Sequence, residues 1–522
     1  MAADLPPATP PETQKPPALV APAPFAAKTI NVDSHGFHYV LAGNTLLPDE
    51  QVVKILEAGE EPRAAIGALI QAYRDAGYLL VTIVANVTGQ QVSGRVVEGK
   101  VTETDMPSDI ARFFSREMNR VDLKRTDLIR DGTFAESYAA RQGFRLKPNF
   151  EAGSEFGASK MVVTEEPIEG AKPWNAVVAF NNLGNRYTSR YVTQASGVVR
   201  PGAGTELSLG YAHGLPDLSS ESAGSRYESG TAAGSIVTPW GLYGAGYSES
   251  HYKLGGEAAV LNAVGKVRTV NLNGTQLFYA SESTKIGMTE TFSRILNHLT
   301  VDIFGGQIDL NEERYNVLTV GGAWNQAFSV LGQTASINAL FNVSQGLSPR
   351  LGTFANPQPG SPTPRFRLYQ ANATYFQGLP AGYSLGVQAS AQWADIDSQS
   401  RLPSQQQWVL GGYGNLTGWY PGVVSGDSGY LLRASGNAPS FSWRELSIAP
   451  TVFTEWATSR TSYIYPNIPN SHVLGDAGLG FTAAAGKYGN FNVAYAWPLY
   501  SHDTPTQDLS RARVYFNATL SF

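Results

Sequence analysis

Few residues in this chain are arranged for covalent chemistry. Gly426-Asp427-Ser428-Gly429 has the order that surrounds the nucleophilic serine of one hydrolase class. Such a serine needs a histidine to take its proton and a carboxylate to orient that histidine. His213 of Ala212-His213 is the only suggestive candidate, and it sits in an alternating, strand-like stretch. His251, His298, His472 and His502 are far apart in sequence. His35 and His38 are close, but they read as part of an exposed strand rather than a metal-binding helix face. The absence of cysteine excludes thiolate metal sites and disulfides. Gly412-x-Gly414 opens no helix, so it is no dinucleotide motif. No catalytic residue, metal or cofactor is expected, and the chain does not read as an enzyme.

The same region, "LGGYGNLTGWYPGVVSGDSGY" (410–430), raises a different possibility. Its seven glycines, bulky aromatics and lone Asp427 suit a loop of tight turns and positive φ angles. The elements around it must explain what such a loop is for.

The 522 residues include 54 Gly, 25 Tyr, 23 Phe and 9 Trp, a β-type composition large enough for several domains. A net charge of −5 gives no polycation for nucleic acid. No apolar run is long enough for a transmembrane helix. "MAADLPPATP" is not a signal peptide, which for an envelope protein reads as a mature chain with an added Met1.

Residues 1–27 hold eight prolines between Pro6 and Pro24 and read as an extended segment. Residues 28–103 read as a small α/β domain of order β-α-α-β-β. Asp49 is placed to cap "EQVVKILEA", and Pro62 opens a helix whose apolar face is Ile66, Leu69, Ile70 and Tyr73. "YLLVTIVANV" and "SGRVVEGKVTET" follow as strands. Residues 104–171 repeat the plan. Ser108 is placed to cap "DIARFFSREMNR", a second helix falls near 126–142, and "SKMVVTEEP" closes as a strand.

From residue 172 to the end, short stretches alternate apolar and polar residues. In "RVYFNATLSF", Val514, Phe516, Ala518, Leu520 and Phe522 share one face. The opposite faces carry Asn, Ser, Gly and Thr rather than Lys and Glu. That combination suits a wet lumen and a lipid-facing exterior. An open sheet edge in lipid is prohibitively costly, so the sheet must close. About 350 residues, at roughly 22 per strand plus turn, give about 16 strands. The expected fold is a membrane β-barrel of about 16 antiparallel strands after two small α/β domains, with a long inserted loop near 396–427.

This order resembles the two-partner secretion transporters (TpsB-type), outer-membrane barrels preceded by periplasmic POTRA domains. "YRDAGYLLVTIVANVTGQQVSGRVVEGKV" is similar to the family's first POTRA domain, and "GASKMVV" to the closing strand of its second. "NNLGNRYTSR" resembles the first barrel hairpin, with Ser189 where glycine is usual. Phe522 resembles the terminal aromatic by which the barrel assembly machinery recognises its substrates. The family's lumenal loop carries Val-Arg-Gly-aromatic between Gly-Gly and Gly-Asp-x-Gly. Gly411-Gly412, Leu416-Thr417-Gly418-Trp419 and Gly426-Asp427-Ser428-Gly429 reproduce that frame, with Thr417 in place of the arginine. The resemblance implies that this arginine pairs with a wall carboxylate in a Phe-x-Asp-x-Gly pattern, matched here by Phe453, Glu455 and Ala457. Alternation points Phe453 and Glu455 inward, and Arg433 also inward, as a substitute cation.

The resemblance implies an outer-membrane translocator that exports an unfolded partner protein. POTRA domains in the periplasm would dock the secreted exoprotein in extended form, and the lumen would conduct it past loop 410–430. Outer-membrane lipid, lipopolysaccharide and the assembly machinery are the other expected partners of a monomer. The rival readings are a barrel-assembly factor of the same superfamily, a passive outer-membrane channel, and a surface enzyme or structural barrel. A helix crossing about 30 Å needs about 20 residues. The proline spacing before residue 28 leaves no room for one, so no helical plug is expected.

Overall fold

The computed structural model describes residues 28–303, 306–347, 358–486, 488–503 and 513–522. The segment 1–27, and with it the expectation of no helical plug, lies outside these residues.

Sixteen strands close into one antiparallel barrel, which seals where Arg513–Ser521 pairs with Trp174–Asn181. A three-residue strand, Phe441–Trp443, is added beside Leu446–Arg460. One rim carries short turns. Between strands Val192–Gly202 and Thr205–Gly214, Ala203 and Gly204 both take positive φ (50° and 67°), the geometry of a tight hairpin. The other rim carries the longer connections, including 396–427. The faces follow the alternation. Leu207, Leu209 and Tyr211 are exposed on the outer wall, as are Val514, Leu520 and Phe522, whereas Arg513 and Tyr515 are buried inside. Phe522 donates its N–H to the Ala176 carbonyl at 2.9 Å, so the terminal residue takes part in closing the barrel.

The region before the barrel holds two sheets. The first has the order Thr29–Ser34, Phe37–Ala42, Gln91–Glu98, Val81–Thr88, so a hairpin precedes the helices instead of the single expected strand. Its helices are Asp49–Ala58 and Pro62–Asp75. Leu69 and Tyr73 of the predicted face are buried, together with Ala65. Asp49 does not cap: Pro48 holds that position, and the Asp49 carboxylate is taken by Lys28 and by Asn44 Nδ2. Nor does Ser108. Pro107 precedes the short helix Ser108–Ala111, which tightens into a 3₁₀ turn over Arg112–Glu117.

The stretch read as one strand through "SGRVVEGKVTET" is two. Gly99 ends the first by donating to the Leu80 carbonyl. Lys100–Asp105 then pairs in parallel with Ala158–Pro167 in the second sheet, whose third strand is Phe144–Ala152. The helix Arg125–Arg141 lies between this sheet and the short-turn rim. Arg141 donates to the Gly204 and Ser235 carbonyls at 2.8 and 3.2 Å. Tyr138 lies so close to Gly204 that a Cβ there would stand 2.2 Å from its ring. Phe113, Phe134 and Tyr138 form one apolar cluster with Val237, Leu277 and Ala323 of the barrel wall.

Candidate functional site

The segment between strands Ser384–Asp395 and Ser428–Asn437 folds back into the lumen as a small hairpin, Trp408–Leu410 against Val424–Gly426. Its stem is anchored by Asp427. One carboxylate oxygen accepts the Leu402 N–H and the other the Ser462 N–H, both at 2.7 Å. The Asp427 carbonyl takes Gln392 Nε2 at 3.0 Å. Ser428 begins the next wall strand, and its hydroxyl accepts the Ala394 N–H at 3.0 Å. The Gly-Asp-Ser-Gly order is therefore a hinge between loop and strand: Gly426 pairs with Trp408, and Gly429 with Ser459. On the opposite side of the loop, the fully buried Glu313 accepts the Ser404 N–H at 3.1 Å and its hydroxyl at 2.9 Å.

At the tip, Gly411 and Gly412 both have φ of +100°, and a Cβ on Gly411 would stand 1.9 Å from the Tyr420 carbonyl oxygen. Leu416, at φ +68°, is fully buried with Leu410, Trp419 and Val424 against Leu431, Ala457 and Leu474 of the wall. Trp419 donates to the Gly475 carbonyl at 3.4 Å, and its own carbonyl accepts the Tyr515 hydroxyl at 3.1 Å.

The contact between tip and wall is made by backbone. The Thr417 N–H donates to Glu455 Oε2, and the Gly418 N–H to Asp476 Oδ2 at 2.7 Å. The Thr417 hydroxyl does not reach the wall; it accepts the Gly414 N–H at 3.0 Å within the loop. The two positions therefore place different demands on the residue type. Any residue but proline at 417 presents an N–H, whereas a Cβ on Gly418 would stand 2.9 Å from the Asp476 Cβ and from the Trp497 backbone.

The cation that meets Glu455 comes from the wall. Arg433 pairs with Glu455 through Nη1, directly across the strand pair, and its guanidinium lies 4.3 Å from the Phe453 ring centroid. The inward set Phe453, Glu455 and Ala457 is buried as the alternation required. Sequence reasoning missed Asp476. It is fully buried and pairs in register with Glu455 on the next strand. Asp476 Oδ1 has no hydrogen-bond partner among the described residues. Two buried carboxylates thus face one guanidinium and two amide donors. Each charge-assisted bond of this kind contributes about 1.5–3 kcal/mol. The arrangement can bind backbone amides; it offers no nucleophile and no general base aimed at an open pocket.

Beyond the tip, Tyr420 lies between the guanidinium groups of Arg186 and Arg513, at 4.9 and 3.2 Å from the ring centroid, and donates its hydroxyl to Glu221. Asn185, in the first long connection, donates to the Pro421 carbonyl at 3.3 Å. The loop is therefore held at the stem, the tip and the long-connection rim.

A family model described as haemolysin secretion/activation protein ShlB/FhaC/HecB matches residues 157–456. That span runs from the second sheet through the inserted loop to Trp456 and so includes Glu455. The heme/hemopexin transporter protein HuxB of Haemophilus influenzae (strain 86-028NP) is 25% identical over 451 residues, 82% of this chain and 75% of that protein. Two solved structures share the fold. CdiB from Escherichia coli has a TM-score of 0.75 at 17% identity, covering 97% of this chain and 94% of that one. CdiB from Acinetobacter baumannii has a TM-score of 0.71 at 14% identity, covering 100% and 95%.

Proposed function

The chain belongs to the haemolysin secretion/activation family of ShlB, FhaC and HecB, and from that premise we propose that it is an outer-membrane translocator exporting an unfolded partner protein. The family match favours export over insertion of other barrels. A lumen occupied by a loop fastened at three levels suits a gated path better than a passive pore. The observation that carries the reading is the tip itself, held to Glu455 and Asp476 by hydrogen bonds that a passing chain's own amides could replace.

In this reading the two α/β units are POTRA domains in the periplasm, on the short-turn side. The strand Val81–Thr88 ends its sheet and exposes Val84 and Val87, so an extended segment of the exoprotein can add to it through main-chain bonds. The route inward passes a lumenal cavity of about 360 Å³ lined by Thr291, Thr319, Asn338 and Asn342, polar groups without charge on which a chain slides without sticking. Loop 410–430 gates or stabilises this route. Phe522 serves the barrel assembly machinery, lipopolysaccharide and other lipid surround the barrel, and the protein acts as a monomer without enzymatic activity.

The test is deletion of residues 28–171. Partner protein should disappear from the medium, while the barrel keeps its heat-modifiable migration on a gel. Undiminished export would refute the docking role.

A further inference from the structure

The outer wall has a feature that export does not use. The strand register aligns the outward residues of six adjacent strands into rows. One row runs Leu207, Gly234, Ala245, Leu272, Phe292 and Leu318, all apolar. The next row toward the long-connection rim runs Leu209, Ala232, Tyr247, Val270, Arg294 and Asn316. The row above it is Tyr211, Gly230, Glu249, Arg268, Leu296 and Arg314. Lys266 stands one row higher. Along these strands the wall thus changes from apolar to charged within two rows, as an outer wall does where acyl chains give way to headgroups; on the other side of the apolar row the one carboxylate, Glu290, accepts Gln276 Nε2 at 3.4 Å.

The charge there is not balanced. Lys266, Arg268, Arg294 and Arg314, with Arg226 one row higher still, stand against Glu228, Glu249 and Glu312, five cations to three carboxylates; Arg226 pairs with Glu228 at 2.9 Å. Glu249 is shared, accepting Lys266 Nζ and Arg268 Nε at 2.8 Å each. Arg314 pairs with Glu312. Arg294 is exposed at the level of Val270 and has no ion-pair partner among the described residues. An arginine facing acyl chains is costly unless its head reaches an anion at the interface.

Beside these cations the wall is hollowed. A groove of about 700 Å³ runs over strands 174–181 to 241–253. Small residues such as Ala195, Gly197, Gly230 and Ala232 form its floor, and Leu209, Tyr211 and Tyr247 stand over it. Its upper end is at Glu228, Glu249 and His251, and the cations Arg226, Lys266 and Arg268 are bound to those two carboxylates. An apolar trough that ends at surplus positive charge matches a lipid with an anionic head.

We propose that this face is a specific site for a phosphorylated outer-leaflet glycolipid of the lipid A class. An acyl chain would lie in the groove, and phosphates would rest on Lys266, Arg268 and Arg294. The docked lipid would fix the tilt of the barrel strands beneath the long loops. The proposal stands apart from the export reading, since it requires only a barrel in an outer membrane.

The test is native mass spectrometry of the full-length, detergent-purified protein titrated with lipid A, dephosphorylated lipid A and phosphatidylglycerol. Lipid A should bind at least tenfold more tightly than either comparison lipid. Arg268→Gln with Arg294→Gln should remove that preference. Ala232→Phe, which fills the groove and leaves the charge intact, should weaken lipid A binding at least fivefold. Heat-modifiable migration confirms that each variant is folded. Equal binding of lipid A and phosphatidylglycerol, or lipid A binding that neither variant changes, would overturn the proposal and leave an ordinary lipid annulus.

Discussion

Replacing Arg433 should loosen the tip of the lumenal loop. In Arg433→Gln, Glu455 and Asp476 remain as cross-strand neighbours, both buried, without a cation. Removing one partner of a buried ion pair costs about 3–5 kcal/mol. The stem bonds of Asp427 and Glu313 are untouched, so the loop should stay inserted. The tip, held to the wall through these same carboxylates, should detach roughly a hundred- to several-thousand-fold more often. Planar-bilayer recordings should show this as frequent large current steps where the parent channel is quiet. Thr417→Arg added to Arg433→Gln returns the guanidinium to the loop and should suppress the steps. Thr417→Arg alone should do little, because Glu455 already has its cation. Two results would refute the reasoning: quiet currents in Arg433→Gln, or equal rescue by Thr417→Arg when Glu455→Gln is also present.

Asp427→Ala removes both carboxylate bonds at the stem. It should raise protease cleavage within 396–427 more than Arg433→Gln does, since the stem and not only the tip is freed. Phe522→Ser breaks the apolar run of the closing strand while sparing its backbone bonds to Ala176; barrel content of fractionated outer membranes should fall several-fold, and unchanged content would exclude an assembly role for Phe522. Burial pushes the Glu136 carboxyl above its ordinary range, although the Leu146 N–H donates to it at 3.0 Å. The folded form therefore keeps a proton that the unfolded chain releases near pH 4.3. This contribution is complete below that pH and is lost as pH rises through the higher folded value. After correction for intrinsic rates, hydrogen exchange in helix Arg125–Arg141 should be faster at pH 8 than at pH 5, and Glu136→Gln should flatten the difference.

Much of this protein was legible in its sequence because a strand's period of two needs no tertiary information. Alternation alone separated the lipid face of Val514–Phe522 from the inner face, and it placed Phe453, Glu455 and Arg433 inside. The glycine frame of 410–430 announced a loop of tight turns, since only glycine takes φ of +100° at Gly411 and Gly412 without strain. Asp476 was hidden because its meeting with Glu455 depends on register between strands, which the local pattern does not contain. The break at Gly99 was hidden for the same reason: Lys100–Asp105 continues the local strand pattern, and only its partner, Ala158–Pro167, shows that it belongs to another sheet. The resemblance also implied a loop arginine where this sequence has Thr417. That the tip meets Glu455 through the N–H of Thr417 is a backbone property carried by every residue type but proline. Only the folded tip, with Leu416 at φ +68° and Gly418 against Asp476, decides where that N–H points.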